Sequence, residues 1–232
     1  MRSYSCIVIL ITLVKKAKVD LALIREKLNA SLLSDMLDGM GIRNQCMSQG
    51  IRPAYPGAKV VGWAQTMLMV DQHEPEQDTF KLQLEGIDSL KGDDLMVVAS
   101  NGSTSAALWG ELLSTAARGL GATGAVIDGL ARDVKQIEEM GFPVFATGFR
   151  PVSSKGRVVA LGYGCRIKCG GVFVEEGDLI VGDVDGIAVV PETVVEEAVG
   201  RALTRINSER VTRKELLTGV KLGEVYAKYG TL

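Results

Sequence analysis

Residues 110–133 constrain the fold more than any other segment, because they join a helical pattern, a glycine-rich turn and a short apolar run. Residues 110–118 predict a helix, and Gly119-Leu-Gly-Ala-Thr-Gly124 predicts a turn. The run Ala125-Val-Ile-Asp128 has the length of a buried strand. A helix that leads at once into a buried strand is typical of a mixed α/β domain.

The two ends of this segment carry groups that bind anions and metals. A helix that begins near Gly110 offers free backbone N–H groups and the positive end of its dipole. The loop after the strand presents a cation and a carboxylate, Arg132 and Asp133. An anion-binding helix end, a guanidinium and a metal-binding carboxylate together favour the handling of a 2-oxo acid.

The glycines of the turn match the dinucleotide-binding pattern Gly-x-Gly-x-x-Gly at Gly119, Gly121 and Gly124. That pattern holds a pyrophosphate only when a strand precedes the glycines and a helix follows them. Here the order is reversed, so we interpret Gly119 and Gly121 as a helix C-cap and turn. The sequence therefore disfavours nucleotide binding.

Helical and strand patterns alternate on both sides of this segment. Residues 20–41 predict a helix broken near 29–31, with Ser31 or Ser34 capping its second half. Lys59 to Val70 predicts a strand with a bulge at Gly62. Further along the chain the patterns predict a strand over 95–99, a loop over 101–105, a helix over 134–140 and a strand over 143–146.

Beyond residue 151, short apolar runs alternate with glycine turns, which predicts small strands before a long helix that opens at Pro191. No repeat and no strong linker divides the chain. We expect an N-terminal extension over 1–19, one α/β domain with terminal helices over 20–220, and a C-terminal tail over 221–232.

Composition argues against several partners and sites. Lys and Arg number 26 against 28 Asp and Glu with no long basic run, so no nucleic-acid partner is expected. The apolar run 6–14 is too short to cross a bilayer, and no membrane partner is expected. His73 is the single histidine, which excludes a zinc site built from several histidines of one chain. The four cysteines suggest reduced, mostly buried thiols and hence a cytoplasmic location.

Each residue of the central segment also has a purely structural interpretation. Asp133 followed by Gln136 forms the pattern of an N-cap and capping box for helix 134–140. Glu111, in the first turn of its helix, complements the helix dipole. Arg132 fits an ordinary solvated cation, and Gly110 fits a packing position. Taken singly, the residues leave both interpretations open.

Short motifs spread over about residues 28–220 form a more specific combination: Gly110-Glu-Leu-Leu113, Gly124-Ala-Val-Ile-Asp-Gly129, Arg132-Asp133, Pro143-Val-Phe-Ala146, Gly182-Asp-Val-Asp-Gly186 with Pro191, Ser34-Asp-Met-Leu-Asp38 with Gly41, Ile51-Arg-Pro53, Gly57 and Gly62-Trp-Ala-Gln-Thr66. This combination resembles the RraA-like family. The family contains the class II 4-hydroxy-4-methyl-2-oxoglutarate/4-carboxy-4-hydroxy-2-oxoadipate aldolases and the regulators of ribonuclease E activity.

The resemblance implies a swivelling β/β/α-type fold and a homo-oligomer, a trimer or a hexamer, with its site at the subunit interface. It implies Mg²⁺ or Mn²⁺ bound through Asp133, with Arg132 and Glu111 as catalytic residues. A small 2-oxo acid substrate would be bound by Arg132 and by the helix start, namely Gly110, Glu111, Leu112 and Leu113.

Two acidic residues come from the family pattern. In the family's aldolases an acidic residue, 20 intervening residues and then Arg-Asp mark the pocket, and Glu111 has that spacing from Arg132. The family residue is commonly Asp, so Glu111 is a departure with a longer reach. A Glu from the C-terminal arm of a neighbouring subunit also joins the family's site, and Glu209 is the match here. Glu111 and Glu209 would act on the metal through water.

Three functional hypotheses follow. The first is a metal-dependent lyase that cleaves 4-hydroxy-2-oxo acids to pyruvate and decarboxylates oxaloacetate. The second is a non-catalytic regulator that binds a ribonuclease, because the same scaffold serves both roles. The third is a Schiff-base aldolase that uses Lys168 or Lys59, which no sequence feature favours.

Overall fold

The computed structural model describes residues 17–73 and 80–230. The apolar run 6–14 and most of the expected extension over 1–19 lie outside the described residues. The expected mixed α/β fold is confirmed, with one large mixed sheet and helices packed around it. None of the helices in the described ranges is long and apolar enough to span a membrane.

The large sheet has strand order β1-β5-β4-β3-β2-β9-β10, with β6 paired to β2 outside this path. A second, two-stranded sheet is formed by β7 and β8. The strands are β1 Arg52–Pro53, β2 Val60–Asp71, β3 Asp94–Trp109, β4 Gly124–Ala131, β5 Val144–Phe149, β6 Val158–Tyr163, β7 Ile167–Cys169, β8 Val172–Val174, β9 Leu179–Asp183 and β10 Gly186–Val190.

Strands β2, β3, β4 and β5 are parallel neighbours and form the centre of the sheet. The remaining pairings, β1 with β5, β6 and β9 with β2, and β10 with β9, are antiparallel. The central strands are apolar on both faces, as parallel strands covered on both sides must be. Their carboxyl ends therefore meet at one edge of the sheet.

The helices are α1 Leu21–Lys27, α2 Ala30–Gly39, α3 Lys81–Asp88, α4 Glu111–Gly119, α5 Val134–Met140, α6 Val195–Leu217 and α7 Leu222–Tyr229, with a 3-10 turn over Glu192–Val194. Side chains from α3, α4 and α5 pack on one face of the central strands through Ile87, Ala117 and Ile137. The other face packs against β7, β8 and the segment before β1. The start of α6 joins α1 and α2 against β9 and β10.

Three local predictions were wrong. Residues 101–105 are not a free loop, because they belong to β3 and are accommodated by shifts in its register with β4. Helix α2 is capped by Asn29, whose side chain accepts the N–H of Leu32 at 2.8 Å, rather than by Ser31 or Ser34. Gly62 is not a bulge: a Cβ there would lie 2.3 Å from Oγ1 of Thr123, so close approach of another segment requires the glycine.

The glycine turn before β4 lies where it was predicted, although the C-cap of α4 is Leu120 and not Gly119. Helix α4 ends at Gly119, and Gly121 is left-handed with φ +87, a conformation that glycine adopts without penalty. The turn thus follows a helix and precedes a strand, the reverse of a dinucleotide-binding unit. Gly141 likewise ends α5 as predicted, with φ 68.

The C-terminal segment folds back on α6. Val225 of α7 is fully buried, and both Lys228 and Tyr229 bond to the carboxylate of Glu215 on α6, at 2.5 and 2.7 Å. The expected tail over 221–232 is therefore helical over Leu222–Tyr229. The domain boundaries given above stay predictions.

Candidate active site

The segments that hold the predicted site leave the sheet at the same edge. Strands β3 and β4 are paired so that Trp109 lies opposite Ala131. The next residues, Gly110 and Arg132, are therefore neighbours, and the backbone N–H of Arg132 donates to the carbonyl of Trp109 at 2.9 Å. The carboxyl edge of parallel strands is where open α/β sheets commonly bind ligands.

Gly110 is in tight contact with the Arg-Asp pair. A Cβ atom at Gly110 would lie 2.7 Å from Oδ2 of Asp133 and 3.1 Å from Cγ of Arg132. The backbone at Gly110 is extended, with φ −159 and ψ −170, which any residue adopts. It is thus the nearness of these two side chains, and not the backbone conformation, that calls for glycine.

Asp133 does not play the structural role that its sequence pattern predicts. It stands at the N-cap of α5 but its side chain makes no capping hydrogen bond, so the predicted capping box with Gln136 is wrong. Its backbone is left-handed, with φ 60 and ψ 36, at a cost of about 1 kcal/mol for a non-glycine residue. The carboxylate instead accepts the backbone N–H of Glu111 through Oδ2 at 3.2 Å.

Arg132 forms a partly exposed ion pair with the same oxygen. Its Nε lies 3.4 Å from Oδ2 of Asp133, and the two side chains are 37% and 40% exposed. An ion pair with this exposure contributes about 0–1 kcal/mol, too little for the pair to be explained by stability. Among the described residues the Arg132 side chain has no other partner, so most of its five N–H donors are available to a ligand.

The start of α4 contributes backbone donors. Ser114 is the residue whose N–H bonds back to the Gly110 carbonyl, at 3.1 Å. Helix geometry leaves the N–H groups of residues 111–113 without intrahelical acceptors, and Asp133 takes that of Glu111. The N–H groups of Leu112 and Leu113 are those open to an anion. The Leu112 side chain is 74% exposed, while Leu113 packs against the core.

A buried hydrogen-bond pair holds this helix start against the strand before it. The indole N–H of Trp109 donates to Oγ of Ser114 at 2.8 Å, and that hydroxyl donates to the Gly110 carbonyl at 3.1 Å. Trp109 and Ser114 are both buried. Sequence reasoning missed this support, because a five-residue spacing across a strand and a helix matches no regular period.

Glu111 is half-buried and bonds along its own helix. Its Oε1 accepts the hydroxyl of Thr115 at 3.0 Å. Its backbone N–H is held by Asp133, so the residue is fixed beside the Arg-Asp pair even though its carboxylate is engaged elsewhere. The predicted role through water stays a prediction.

A metal ion at this site would be coordinated by few protein ligands. No three His, Cys, Asp or Glu side chains of residues 17–73 and 80–230 are grouped closely enough to form a metal cage. Oδ1 of Asp133 accepts no hydrogen bond from a described residue, and its side chain is 40% exposed. Mg²⁺ keeps several waters and is usually bound by one or two carboxylates. The donor set therefore fits a hard, hydrated divalent cation.

Glu209 lies on α6 and pairs within its own helix. Its Oε1 is 3.2 Å from Nε of Arg205. The prediction for Glu209 concerns a site on a neighbouring subunit, so it stays a prediction.

The two lysines of the Schiff-base hypothesis differ in their exposure and in their contacts. Nζ of Lys59 donates to the carbonyls of Arg25 and Leu28 at 2.6 and 2.7 Å, which directs its hydrogens at two acceptors. Burial lowers the pKa of Lys59, Asp183 opposes this change and Arg25 adds to it. Lys168 is exposed, with Nζ 6.0 Å from the ring centre of Phe173. Lys59 precedes β2 and so lies at the opposite edge of the sheet from Arg132.

Comparison with known proteins gives consistent matches. A family model described as RraA-like, Aldolase/RraA, matches residues 30–189. Protein DlpA of Legionella pneumophila is 32% identical over 184 residues, 79% of this chain and 29% of DlpA. A protein of Halalkalibacterium halodurans named "Putative 4-hydroxy-4-methyl-2-oxoglutarate aldolase" is 29% identical over 187 residues, 81% of this chain and 84% of that protein.

One solved structure adds the second family role. Streptomyces coelicolor RraAS2, described as an unusual member of the RNase ES inhibitor RraA protein family, matches with a TM-score of 0.79 at 27% identity. The match covers 87% of this chain and 100% of that one.

The matches differ in how much of each relative they span. This chain spans less than a third of the length of DlpA. The family model covers more than half of this chain and includes the whole candidate site from Gly110 to Asp133, whereas Glu209 lies beyond it. By this match and by its fold, the chain belongs to the RraA-like family.

Proposed function

We propose that this protein is a divalent-metal-dependent lyase that cleaves 4-hydroxy-2-oxo acids of the 4-hydroxy-4-methyl-2-oxoglutarate type to pyruvate and decarboxylates oxaloacetate. One observation carries the proposal: the carboxylate of Asp133 faces the start of α4 and the guanidinium of Arg132 instead of capping its own helix. A relative named as an aldolase supports the same reading.

Asp133 would hold Mg²⁺ or Mn²⁺ through its free oxygen, Oδ1. When bound, such an ion supplies a Lewis acid that draws electron density from the ketone of a 2-oxo acid. The residues around the ion would bind and orient the substrate. Water would fill the other positions, as is usual for Mg²⁺.

The substrate would be oriented by donors on both sides of Gly110. The backbone N–H groups of Leu112 and Leu113 would bind the carboxylate next to the ketone. Arg132 would donate to the ketone oxygen, where negative charge develops as the bond breaks. Because Nε of Arg132 lies 3.4 Å from Oδ2 of Asp133, the guanidinium is partly oriented before the substrate binds.

In the aldol cleavage the bond between carbons 3 and 4 breaks, and its electron pair moves to carbon 3 to give a pyruvate enolate. The proton of the 4-hydroxyl group leaves as the new carbonyl forms. In the aldol cleavage Glu111 would take up the hydroxyl proton and return it to carbon 3 through a hydrogen-bonded water. In oxaloacetate, which has no 4-hydroxyl proton, the same bond breaks with loss of CO₂ and carbon 3 takes its proton from water.

The direct test measures pyruvate release from oxaloacetate and from 4-hydroxy-4-methyl-2-oxoglutarate, with Mg²⁺ and with excess EDTA, after subtraction of the protein-free rate. We expect the protein-dependent rate to require the metal and to fall at least about 100-fold in Arg132→Ala. Arg43→Ala, at an exposed position outside the site, is the matched control. Full activity in Arg132→Ala would disprove the proposal.

The alternative is a protein-binding regulator of a ribonuclease. It is favoured by the likeness to RraAS2, which is described as a member of an RNase ES inhibitor family. Retention of Arg132-Asp133 favours the lyase instead. Binding and inhibition of a purified ribonuclease E-type enzyme, together with no pyruvate release under any metal condition, would favour the regulator.

The assembly belongs to the same proposal. We propose a trimer or hexamer in which Glu209 of one subunit approaches the site of the next. Light scattering fixes the mass of the particle in solution. A monomer with full lyase activity would exclude the shared site.

A further inference from the structure

A cavity of about 480 Å³ lies at the opposite edge of the sheet from Arg132 and Asp133. Its walls come from α1, the end of α4 and the segments that lead into β2, β4 and β5, and they include Tyr55, Lys59, Thr123 and Phe142. Strand β4 is eight residues long, so roughly 25 Å separate the two edges. The cavity is therefore distinct from the proposed active site.

Three cations from three separate segments line this cavity. They are Arg25 on α1, Lys59 before β2 and Arg118 on the last turn of α4. No carboxylate is among its lining residues, and none of the three cations forms an ion pair with a residue of the described ranges. Asp183, the acidic residue that acts on Lys59, is engaged through both oxygens by the N–H groups of Ala30 and Asp185.

Each of the three cations also donates to a backbone carbonyl. Lys59 bonds to the carbonyls of Arg25 and Leu28, Arg118 bonds to that of Met140, and Arg25 bonds to that of Val61 at 3.0 Å. Helix C-termini explain part of this pattern, because α1, α4 and α5 all end near the cavity.

The carbonyls do not neutralise the cations. A helix C-terminus carries about half of a negative charge, so three helix ends offset only about half of three full positive charges. Each guanidinium uses one of its five N–H groups on a carbonyl. Both charge and donors therefore remain for a ligand.

We infer that this cavity is a second binding site, which takes a small phosphate-bearing anion. A phosphate group has acceptor oxygens on several sides and so accepts donors from three directions, whereas a flat carboxylate is matched by a single guanidinium fork. The volume is within the range of small-molecule sites and leaves room for an organic group beside Tyr55.

The inference is tested by calorimetric titration of the full chain with pyrophosphate at low ionic strength, with inorganic phosphate and malonate as parallel titrants. We expect saturable binding of pyrophosphate, weaker binding of phosphate, and weaker binding still of malonate. Arg118→Gln and Arg25→Gln are each expected to weaken pyrophosphate binding at least about tenfold. Malonate that binds as tightly as pyrophosphate would overturn the phosphate assignment.

Two further variants serve as controls. Lys135→Gln removes an exposed cation from α5 outside the cavity, and Arg132→Ala removes the cation of the proposed active site. Both should bind pyrophosphate like the wild type. An equal loss in Lys135→Gln would show diffuse surface attraction, a loss confined to Arg132→Ala would place the anion at the other site, and absence of saturable binding would refute the site outright.

Arg118→Gln also removes a bond to the end of α5, so its fold is checked by thermal melting. If that variant unfolds, Arg25→Gln decides, because Arg25 is exposed and its side chain bonds, among the described residues, only to the Val61 carbonyl. The assay measures binding alone, so its result does not depend on whether the protein is a lyase.

Discussion

The carboxylate of Asp133 lies 3.2 Å from the backbone nitrogen of Glu111, so the first turn of α4 is capped by a residue 22 positions later in the chain. Oδ2 of Asp133 accepts this N–H and also lies next to Nε of Arg132. The other oxygen, Oδ1, accepts no hydrogen bond from a described residue and is the proposed metal ligand. Asparagine, a neutral side chain of the same shape, can accept the N–H of Glu111 but lacks the negative charge that would hold the metal.

We therefore predict that Asp133→Asn separates stability from activity. Asn tolerates the left-handed backbone and keeps an acceptor for the Glu111 N–H, so the free energy of unfolding should change by less than about 0.5 kcal/mol. Metal-dependent pyruvate release should fall at least about 100-fold. Urea unfolding and the pyruvate assay measure the two effects.

Asp133→Ala is the matching comparison. It loses the hydrogen bond to Glu111 and places an alanine in a left-handed conformation, so it should be destabilised by roughly 1–2 kcal/mol. If Asp133→Asn kept wild-type activity, the charge of the carboxylate would have no catalytic role, and the assignment of Asp133 as the metal ligand would be wrong.

A second prediction concerns Gly110. The methyl group of Gly110→Ala would meet Oδ2 of Asp133 at 2.7 Å, and the backbone permits alanine. The clash is with the end of a partly exposed side chain, which can move, so stability should fall by less than about 1 kcal/mol. The displaced carboxylate should lower activity on the order of 100-fold.

Gly200→Ala provides the control for Gly110→Ala. Gly200 lies on α6, and a methyl group there meets nothing within 4 Å. Helix propensity predicts a stabilisation of about 0.5–1 kcal/mol with unchanged activity. Equal activity in the two variants would show that the contact at Gly110 does not position the Arg-Asp pair.

Local patterns predicted most of the elements but not the register that assembles the site. The apolar runs and glycine stops were enough to predict α5 and the short strands β9 and β10, because each is determined by neighbouring residues. The pairing of Trp109 with Ala131 could not be predicted from them. Ten steps of β3, from Ala99 to Trp109, run beside only three steps of β4, and the intervening bulges carry no periodic signal.

Residue chemistry pointed to Gly110, Arg132 and Asp133 as candidates, but their catalytic and metal-binding roles came from the family resemblance. Local chemistry alone favoured a capping role for Asp133, since the Asp-x-x-Gln pattern is a good capping box. The left-handed backbone that prevents this role depends on contacts between α4 and the loop after β4. Such contacts are tertiary and lie beyond what a single sequence window contains.

The buried pair of Trp109 and Ser114 yields a third prediction. Ser114→Ala removes the acceptor of the indole N–H and should cost about 1–3 kcal/mol, because a buried donor is left unpaired. Thr204→Ala is the control, since Thr204 also donates to a carbonyl four residues earlier but is exposed. That change should stay within about 0.5 kcal/mol. A similar, small effect in both would mean that water reaches the indole.

A fourth prediction concerns the thiols and corrects the expectation that they are mostly buried. Of the three described cysteines, Cys46 and Cys165 are exposed and Cys169 is buried. Burial, with Asp128 nearby, raises the pKa of Cys169 above the ordinary thiol range. Because the thiolate is the species that reacts with alkylating reagents, Cys169 should resist alkylation in the folded protein at alkaline pH.

The measurement is peptide mapping after brief iodoacetamide treatment of the native chain near pH 8. Cys46 and Cys165 should be modified, while Cys169 should react only after denaturation. The raised pKa and the loss of access act in the same direction, so a higher pH alone should not release the protection while the fold persists. Rapid modification of Cys169 in the native protein would place β7 outside the core, contradicting its packing against β3 and the contact of its sulfur with the Val98 carbonyl at 3.7 Å.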